Sequence, residues 1–160
     1  MKYKLFLSLF GVGFIPHLGA VIATVATGVA CLLLHALLPA SVGQRLLIIV
    51  LLFVCIFFSA LMSIPFVGSQ RTYDHHWIVI DEFLGVLVAF SPFLIWQPSP
   101  MTPATFVLIL LAFGFFDFFK PFGIRAIDRK EHWPAAVVID DILAGVYAAL
   151  LSYGVLFMLH

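Results

Sequence analysis

Five long apolar segments follow one another along this chain, and they restrict the fold more than any other feature of the sequence. Residues 46–64 form a run of 19 residues without a charge, long enough to cross the hydrocarbon core of a bilayer as a helix. The other segments are residues 18–38, 78–96, 105–119 and 135–159. Only helices or closed barrels satisfy all backbone polar groups inside lipid, and no alternating barrel pattern is visible. The sequence therefore predicts an all-α, membrane-embedded bundle of about five to six helices.

The composition agrees with a membrane protein. The chain is 64% hydrophobic and 10% charged, whereas about 25% of the residues in a soluble domain are charged. Its formal net charge is zero, which gives no basis for predicting a nucleic-acid partner. The breaks between the segments are short and contain Pro, Gly and Ser, as connections do. Residues 1–160 are therefore predicted to form one domain.

The basic residues are distributed unevenly between the two predicted membrane faces. If all five segments span, seven basic residues lie on the face of the N-terminus and Arg45 lies alone on the other. The bias places the first face in the cytoplasm. The acidic residues lie at or near the same face, so we predict a polar site there; a bundle that crosses only partway would keep this clustering without the topology. The seven basic residues are Lys2, Lys4, Arg71, Lys120, Arg125, Arg129 and Lys130.

Carboxylates stand near the cytoplasmic ends of three segments. An ionisable group inside a span is costly and is by default a functional candidate. Adjacent carboxylates on a helix point about 100° apart, so one of each pair can face the bundle. Glycines follow two of the pairs by one turn, and a missing side chain lets another helix approach closely. The carboxylates are Asp81 and Glu82, Asp117, and Asp140 and Asp141, and the glycines are Gly85 and Gly145.

Grouped carboxylates repel one another, and a divalent cation removes that penalty. Mg²⁺ prefers oxygen ligands and usually keeps waters and phosphate oxygens as well. The basic run that begins at Lys120 could hold a phosphate beside such a cation. Together these features indicate metal-assisted phosphoryl chemistry on a lipid. Two other classes stay open: a small ion-coupled transporter or channel, and a non-catalytic membrane subunit whose carboxylates only form salt bridges.

Three sequence blocks resemble the phosphatidylglycerophosphatase A family. They are "VIDEFLG" at 79–85, "DFFKPFGIRAIDR" at 117–129 and "VIDDILAG" at 138–145, in the family's order and spacing. The resemblance covers nearly the whole chain. It implies a Mg²⁺-dependent lipid phosphatase of the bacterial cytoplasmic (inner) membrane that converts phosphatidylglycerophosphate to phosphatidylglycerol. It also implies an all-helical bundle with a central helix surrounded by others.

The resemblance carries over to individual positions, including Asp74, Arg125, Asp128 and Arg129. The family's "PGTxGS" turn is replaced by "IPHLGAV", the Arg three residues before Asp117 by Gly114, and a Gly-rich stretch by "WPAAV". These departures alter anion-binding parts and keep the carboxylates, one of which either activates water or acts as the nucleophile. The predicted catalytic residues are Asp81, Asp117 and Lys120; the predicted Mg²⁺ ligands are Asp81, Glu82, Asp140 and Asp141; the predicted phosphate contacts are Lys120, Arg125, Arg129, His17 and His75.

Overall fold

The computed structural model describes residues 2–39, 41–67, 73, 75–96, 101–121, 123–130 and 133–159, and these residues form helices and connections without a strand. Each of the five predicted segments corresponds to a long helix. Two short helices, Lys2–Leu7 and Ile124–Asp128, and two 3-10 turns, Val12–Phe14 and Ile64–Phe66, were not predicted. The helices are α1 Lys2–Leu7, α2 Gly19–Leu37, α3 Val42–Ser63, α4 Ile80–Trp96, α5 Pro103–Phe119, α6 Ile124–Asp128 and α7 Ala136–Leu159.

Helix α4 is the centre of the bundle. It packs against α2, α3, α5 and α7, and eleven of its 17 residues are buried. Phe90 and Phe93 are fully buried in the main apolar core, together with Phe113 of α5. The central helix that the family resemblance implied is therefore α4.

A proline interrupts the hydrogen bonding of α4 without ending the helix. Pro92 has no N–H group and cannot donate to the carbonyl of Val88 one turn earlier. The hydroxyl of Ser91 donates to that carbonyl instead, at 2.8 Å. The carbonyl oxygen is thereby satisfied inside the bundle, and α4 continues to Trp96.

The outer helices expose apolar side chains, as helices in lipid do. Three of them are long and apolar enough to cross a membrane: Gly19–Leu37, Val42–Phe66 and Ala136–Met158. Helices α4 and α5 have 17 residues each, which corresponds to about 25 Å against a hydrocarbon core of about 30 Å. The described helices thus form a membrane bundle in which three members reach full spanning length.

Helices α4 and α7 cross in backbone contact. A Cβ atom added to Gly85 would lie 2.6 Å from the carbonyl oxygen of Asp141, and one added to Gly145 would overlap the carbonyl of Gly85. Only glycine leaves room for this approach. The close helix contact predicted from these two glycines is confirmed. Because each glycine lies one turn after a carboxylate, the crossing brings Asp81 and Asp141 together.

Candidate active site

The carboxylates of three helices meet at one end of the bundle. Asp81 and Glu82 lie in the first turn of α4, where the helix dipole favours negative charge, Asp140 and Asp141 lie near the start of α7, and Asp117 lies in the last turn of α5. Five carboxylates far apart in sequence therefore share one cavity of about 210 Å³. Its other lining residues include Lys120, Asp128, His75 and His76.

Three of these carboxylates form a compact ligand set. One oxygen each from Asp81, Glu82 and Asp141 lies within 4.8 Å of the others. Asp81 and Asp141 are buried and Glu82 is half-buried. Asp81 also lies within hydrogen-bonding reach of Glu82, and Asp117 within reach of Asp141. Carboxylates this close need a shared proton or a cation between them, and oxygen ligands suit Mg²⁺. The residues present fit the predicted metal.

Among the described residues that line the acidic cavity, Lys120 is the only lysine or arginine. It follows α5 in the left-handed conformation, with φ of 45°, and its ammonium group donates to Asp128 and, at 2.7 Å, to Asp140. Burial by itself would lower the pKa of Lys120, but the hydrogen bonds to the two carboxylates outweigh it and raise the pKa. Lys120 therefore stays protonated at neutral pH.

Asp140 accepts a hydrogen bond from Lys120 and does not belong to the compact ligand set of Asp81, Glu82 and Asp141. Its Oδ2 accepts the hydrogen bond from Lys120, while its Oδ1 is buried without a hydrogen-bond partner among the described residues. A buried carboxylate oxygen without a hydrogen-bond partner costs free energy, unless a ligand or a cation binds to it. Asp140 thus holds the ammonium group of Lys120 at the cavity with one oxygen and keeps a second, unpaired oxygen buried beside it.

The predicted phosphate contacts are divided among three neighbouring depressions. Lys120 and His75 line the acidic cavity, and the ring of His75 stacks on Trp77 at 5.7 Å. His17 is exposed, has a positive φ of 61°, and lines an adjoining groove that shares His76 with the cavity. Arg125 and Arg129 are exposed and line another groove that shares Lys120 with the cavity. The structure therefore brings the carboxylates, Lys120 and His75 together, and places His17 and both arginines beside them.

Two polar residues that line the acidic cavity, Asp128 and His76, had no assigned site role in the sequence analysis. Asp128 matched a family position, but its contact with Lys120 depends on the turn between α5 and α6, which spacing alone does not show. His76 followed His75 without a separate signal. Asp74 falls outside the described residues. The signal that could have identified Asp128 is the block "DFFKPFGIRAIDR", whose last acidic residue lies eight residues after the lysine.

Comparison with known proteins places relatives over most of the chain. The model of the family described as phosphatidylglycerophosphatase A matches residues 5–156. A protein of that name from Haemophilus influenzae is 38% identical over 90 residues, which is 55% of this chain and 51% of that protein, so this match spans about half of its length. The Escherichia coli protein of the same name is 30% identical over 147 residues, 91% of this chain and 80% of that protein.

A third relative carries a different name. A putative phosphatidylinositol-3-phosphatase from Bacteroides thetaiotaomicron is 28% identical over 148 residues, 89% of this chain and 86% of that protein. No solved structure matches the chain.

Proposed function

Because the chain belongs to the phosphatidylglycerophosphatase A family, we propose that it removes the terminal phosphate of phosphatidylglycerophosphate and yields phosphatidylglycerol and inorganic phosphate. One observation supports this proposal above the others. Carboxylates from α4, α5 and α7 converge on a small cavity that also holds a fixed lysine. This is the donor set that metal-assisted phosphate-ester hydrolysis requires.

Asp81, Glu82 and Asp141 are the proposed ligands of a Mg²⁺ ion, and Asp140, which has one buried oxygen without a hydrogen-bond partner among the described residues, lines the same cavity. When bound there, the ion supplies a Lewis acid that polarises the phosphoryl group and offsets its charge. Spontaneous hydrolysis of phosphate monoesters is extremely slow, so the site has to lower a large barrier.

Lys120 is proposed to bind the transferring phosphoryl group. Asp128 and Asp140 hold its ammonium group in place, so no reorganisation is needed as charge develops on the phosphoryl oxygens. In the hydrolysis, the bond from phosphorus to the glycerol oxygen breaks, and a bond from phosphorus to the oxygen of water forms. One proton of the water passes to a carboxylate of the cavity, for which Asp117 is our candidate, and the glycerol oxygen takes up a proton from solvent as it leaves, so that it becomes a hydroxyl group.

The position of the site suits a lipid substrate. The cavity lies where α4 and α7 begin, one to two turns from the predicted membrane face. A lipid phosphate in the headgroup layer can reach this depth while its acyl chains stay in the bilayer. With the basic residues gathered at the same end, we place the site on the cytoplasmic side of the bacterial inner membrane.

The test is phosphate release by the purified protein from phosphatidylglycerophosphate in mixed micelles. We expect release with Mg²⁺, loss of release with EDTA, recovery on adding Mg²⁺ back, and loss in Asp81→Asn. Ser59→Ala is the control, because Ser59 is exposed on α3, far along the chain from the site residues, and its hydroxyl donates to the carbonyl of Cys55 within the same helix. Release that is indifferent to EDTA, or that Asp81→Asn leaves intact, would contradict the proposed site. No release from folded protein would favour the transporter or subunit alternatives.

A further inference from the structure

A second, basic groove lies beside the acidic cavity. It has a volume of about 540 Å³, and its described lining residues include Lys120, Arg125 and Arg129 and no carboxylate. We propose that this groove binds the phosphodiester of the lipid substrate, while the terminal phosphate monoester occupies the acidic cavity. This inference rests on the proposed function and assigns the two arginines to substrate selection.

The acidic cavity is lined mainly by carboxylates and the groove by basic residues, so the two depressions differ in charge as two separate phosphate sites would. Six carboxylates and one lysine are among the described residues that line the acidic cavity. A single divalent cation leaves that cavity anionic, so it attracts a multiply charged lipid poorly from a distance. The groove offers two exposed arginines, Arg125 and Arg129, while its third basic residue, Lys120, is already paired with Asp128 and Asp140 of the acidic cavity. The second phosphate of the substrate can supply binding energy there without entering the acidic cavity.

The geometry connects the groove to the reacting end of the site. Lys120 lines both depressions, and the backbone N–H of Arg125 donates to the carbonyl of Lys120 at 3.3 Å. Arg125 and Arg129 are four residues apart on α6 and its C-terminal cap, and residues at this spacing lie on one helix face. One nitrogen of Arg125 donates to the carbonyl of Phe119 at 3.1 Å, which orients the guanidinium group and leaves other N–H donors for a phosphate.

An apolar helix face continues from the groove. Phe119 lines it, and Phe115 and Phe118 of α5 are likewise exposed. In a membrane these rings contact lipid, so acyl chains can lie along α5 while the phosphodiester sits against the arginines. A basic groove at the C-terminal end of α5, next to the apolar face of that helix, fits a phospholipid better than a soluble phosphate.

The lipids that the relatives' names refer to share this chemistry. Phosphatidylglycerophosphate and a phosphatidylinositol 3-phosphate each carry a phosphodiester and a phosphate monoester, although their headgroups differ. Phosphatidic acid carries a monoester alone. A subsite for the phosphodiester would therefore favour both of the first two lipids over phosphatidic acid.

The experiment compares phosphatidylglycerophosphate with phosphatidic acid in micelles of a neutral detergent. Arg125→Gln/Arg129→Gln removes the two arginines, and Lys2→Gln/Lys130→Gln removes two exposed basic residues outside the groove. Charged hydrogen bonds of this kind lead us to expect that the arginine variant lowers kcat/KM for phosphatidylglycerophosphate about 10- to 100-fold, mainly through KM. The loss with phosphatidic acid should be several times smaller, and the control pair should leave the ratio between the two lipids unchanged.

Equal losses with both lipids would overturn the inference, because they would show that the arginines only attract anionic substrates in general. No loss with either lipid in the arginine variant would also overturn it. A second measurement separates this failure from failure of the proposed function. It compares the affinity of the protein for the non-hydrolysable phosphonate analogue of the deacylated two-phosphate headgroup with that for the analogue of glycerol 3-phosphate.

If the wild-type protein hydrolyses neither lipid, the proposed function fails. The ratio of its affinities for the two phosphonate analogues then tests whether the groove binds a phosphodiester. Tighter binding of the two-phosphate analogue that the arginine variant loses supports the groove. Equal binding of the two analogues, or a preference that survives loss of both arginines, overturns it.

Discussion

Lys120 ends a helix, forms two ion pairs and lines two depressions of the site. Its left-handed backbone ends α5, its ammonium group pairs with Asp128 and Asp140, and its side chain lines both the acidic cavity and the basic groove. A non-glycine residue in this conformation costs about 1 kcal/mol or more, so the surrounding contacts have to hold it. The position of this one charge therefore depends on the turn between α5 and α6 as much as on the helices.

Replacing Lys120 tests its proposed role at the phosphoryl group. We expect Lys120→Gln to lower kcat about 100- to 1,000-fold, as loss of a preorganised charge donor does at comparable sites. Lys120→Arg should retain more activity, because it keeps the positive charge. The measurement is phosphate release under saturating Mg²⁺. A glutamine variant with kcat within a factor of about three of wild type would contradict direct binding of the phosphoryl group.

Asp128 is a positioning residue, and its replacement should have a smaller effect. Its side chain is 34% exposed, and without it Lys120 still pairs with the buried Asp140. We expect Asp128→Asn to lower kcat about 3- to 10-fold with little change in KM, since a partly exposed ion pair contributes about 1 kcal/mol. Asp128→Glu should recover part of the loss. A loss as large as that of Lys120→Gln would show that Asp128 itself takes part in the chemistry.

At the scale of elements, the crossing of α4 and α7 sets the distance between their carboxylates. We expect Gly145→Ala to separate the helices, because its new Cβ would meet the backbone carbonyl of Gly85, which cannot move aside as a side chain would. Gly85→Ala should act similarly through the carbonyl of Asp141. Each change should cost about 1–3 kcal/mol of stability and most of the activity.

Gly114→Ala is the matched control for both changes. Gly114 lies in α5, and a Cβ added there meets nothing within 4 Å among the described atoms. Alanine is the better helix former, so this variant should gain up to about 1 kcal/mol and keep its activity. Thermal melting in detergent and phosphate release measure both effects. A Gly145→Ala variant as stable and active as Gly114→Ala would show that the close crossing is not required.

Hydropathy predicted the long helices because a bilayer imposes a simple length and polarity rule on the sequence. The glycines at 85 and 145 predicted that another helix approaches closely at each of them, and the structure shows that the two helices concerned, α4 and α7, contact each other there. The family prediction is confirmed by the family match over residues 5–156. The short helices α1 and α6 have six and five residues, too few to show a periodic pattern.

The arrangement around Lys120 was not predictable from spacing. It follows from a positive φ at Lys120 and from another at Gly123, which direct the chain back so that Asp128 meets the lysine. The same turn sends Arg125 and Arg129 into the basic groove instead of the acidic cavity. Backbone conformations of this kind depend on tertiary contacts, and sequence periodicity carries no signal for them.

On the scale of the whole molecule, the two ends of the bundle differ in the charged residues that they bury. The acidic cavity occupies one end, whereas at the other end the buried cation among the described residues, Arg45, bonds the carbonyls of Pro39 and Leu94. That arginine fastens the start of α3 to the end of α4. A transporter would need polar groups along a path between the ends. The buried residues of α4 after Gly85 are instead apolar, so this central helix provides no polar path beyond the acidic cavity.

The orientation of this polarity can be tested by labelling single cysteines with a membrane-impermeant maleimide. In a Cys31→Ser/Cys55→Ser background, we expect Ala126→Cys to react only after the inner membrane is permeabilised, because Ala126 lines the basic groove beside the acidic cavity, on the side that we propose faces the cytoplasm. Gln44→Cys, exposed at the start of α3, should react from the periplasm.

Ala104→Cys, exposed at the start of α5, tests whether the 17-residue helices α4 and α5 cross the membrane fully. Reaction of Ala104→Cys from the periplasm means five spans, and its protection together with Ala126→Cys means a bundle that crosses partway at these two helices. Reaction of Ala126→Cys in intact spheroplasts would overturn the cytoplasmic placement of the site, and with it the leaflet from which the lipid phosphate enters.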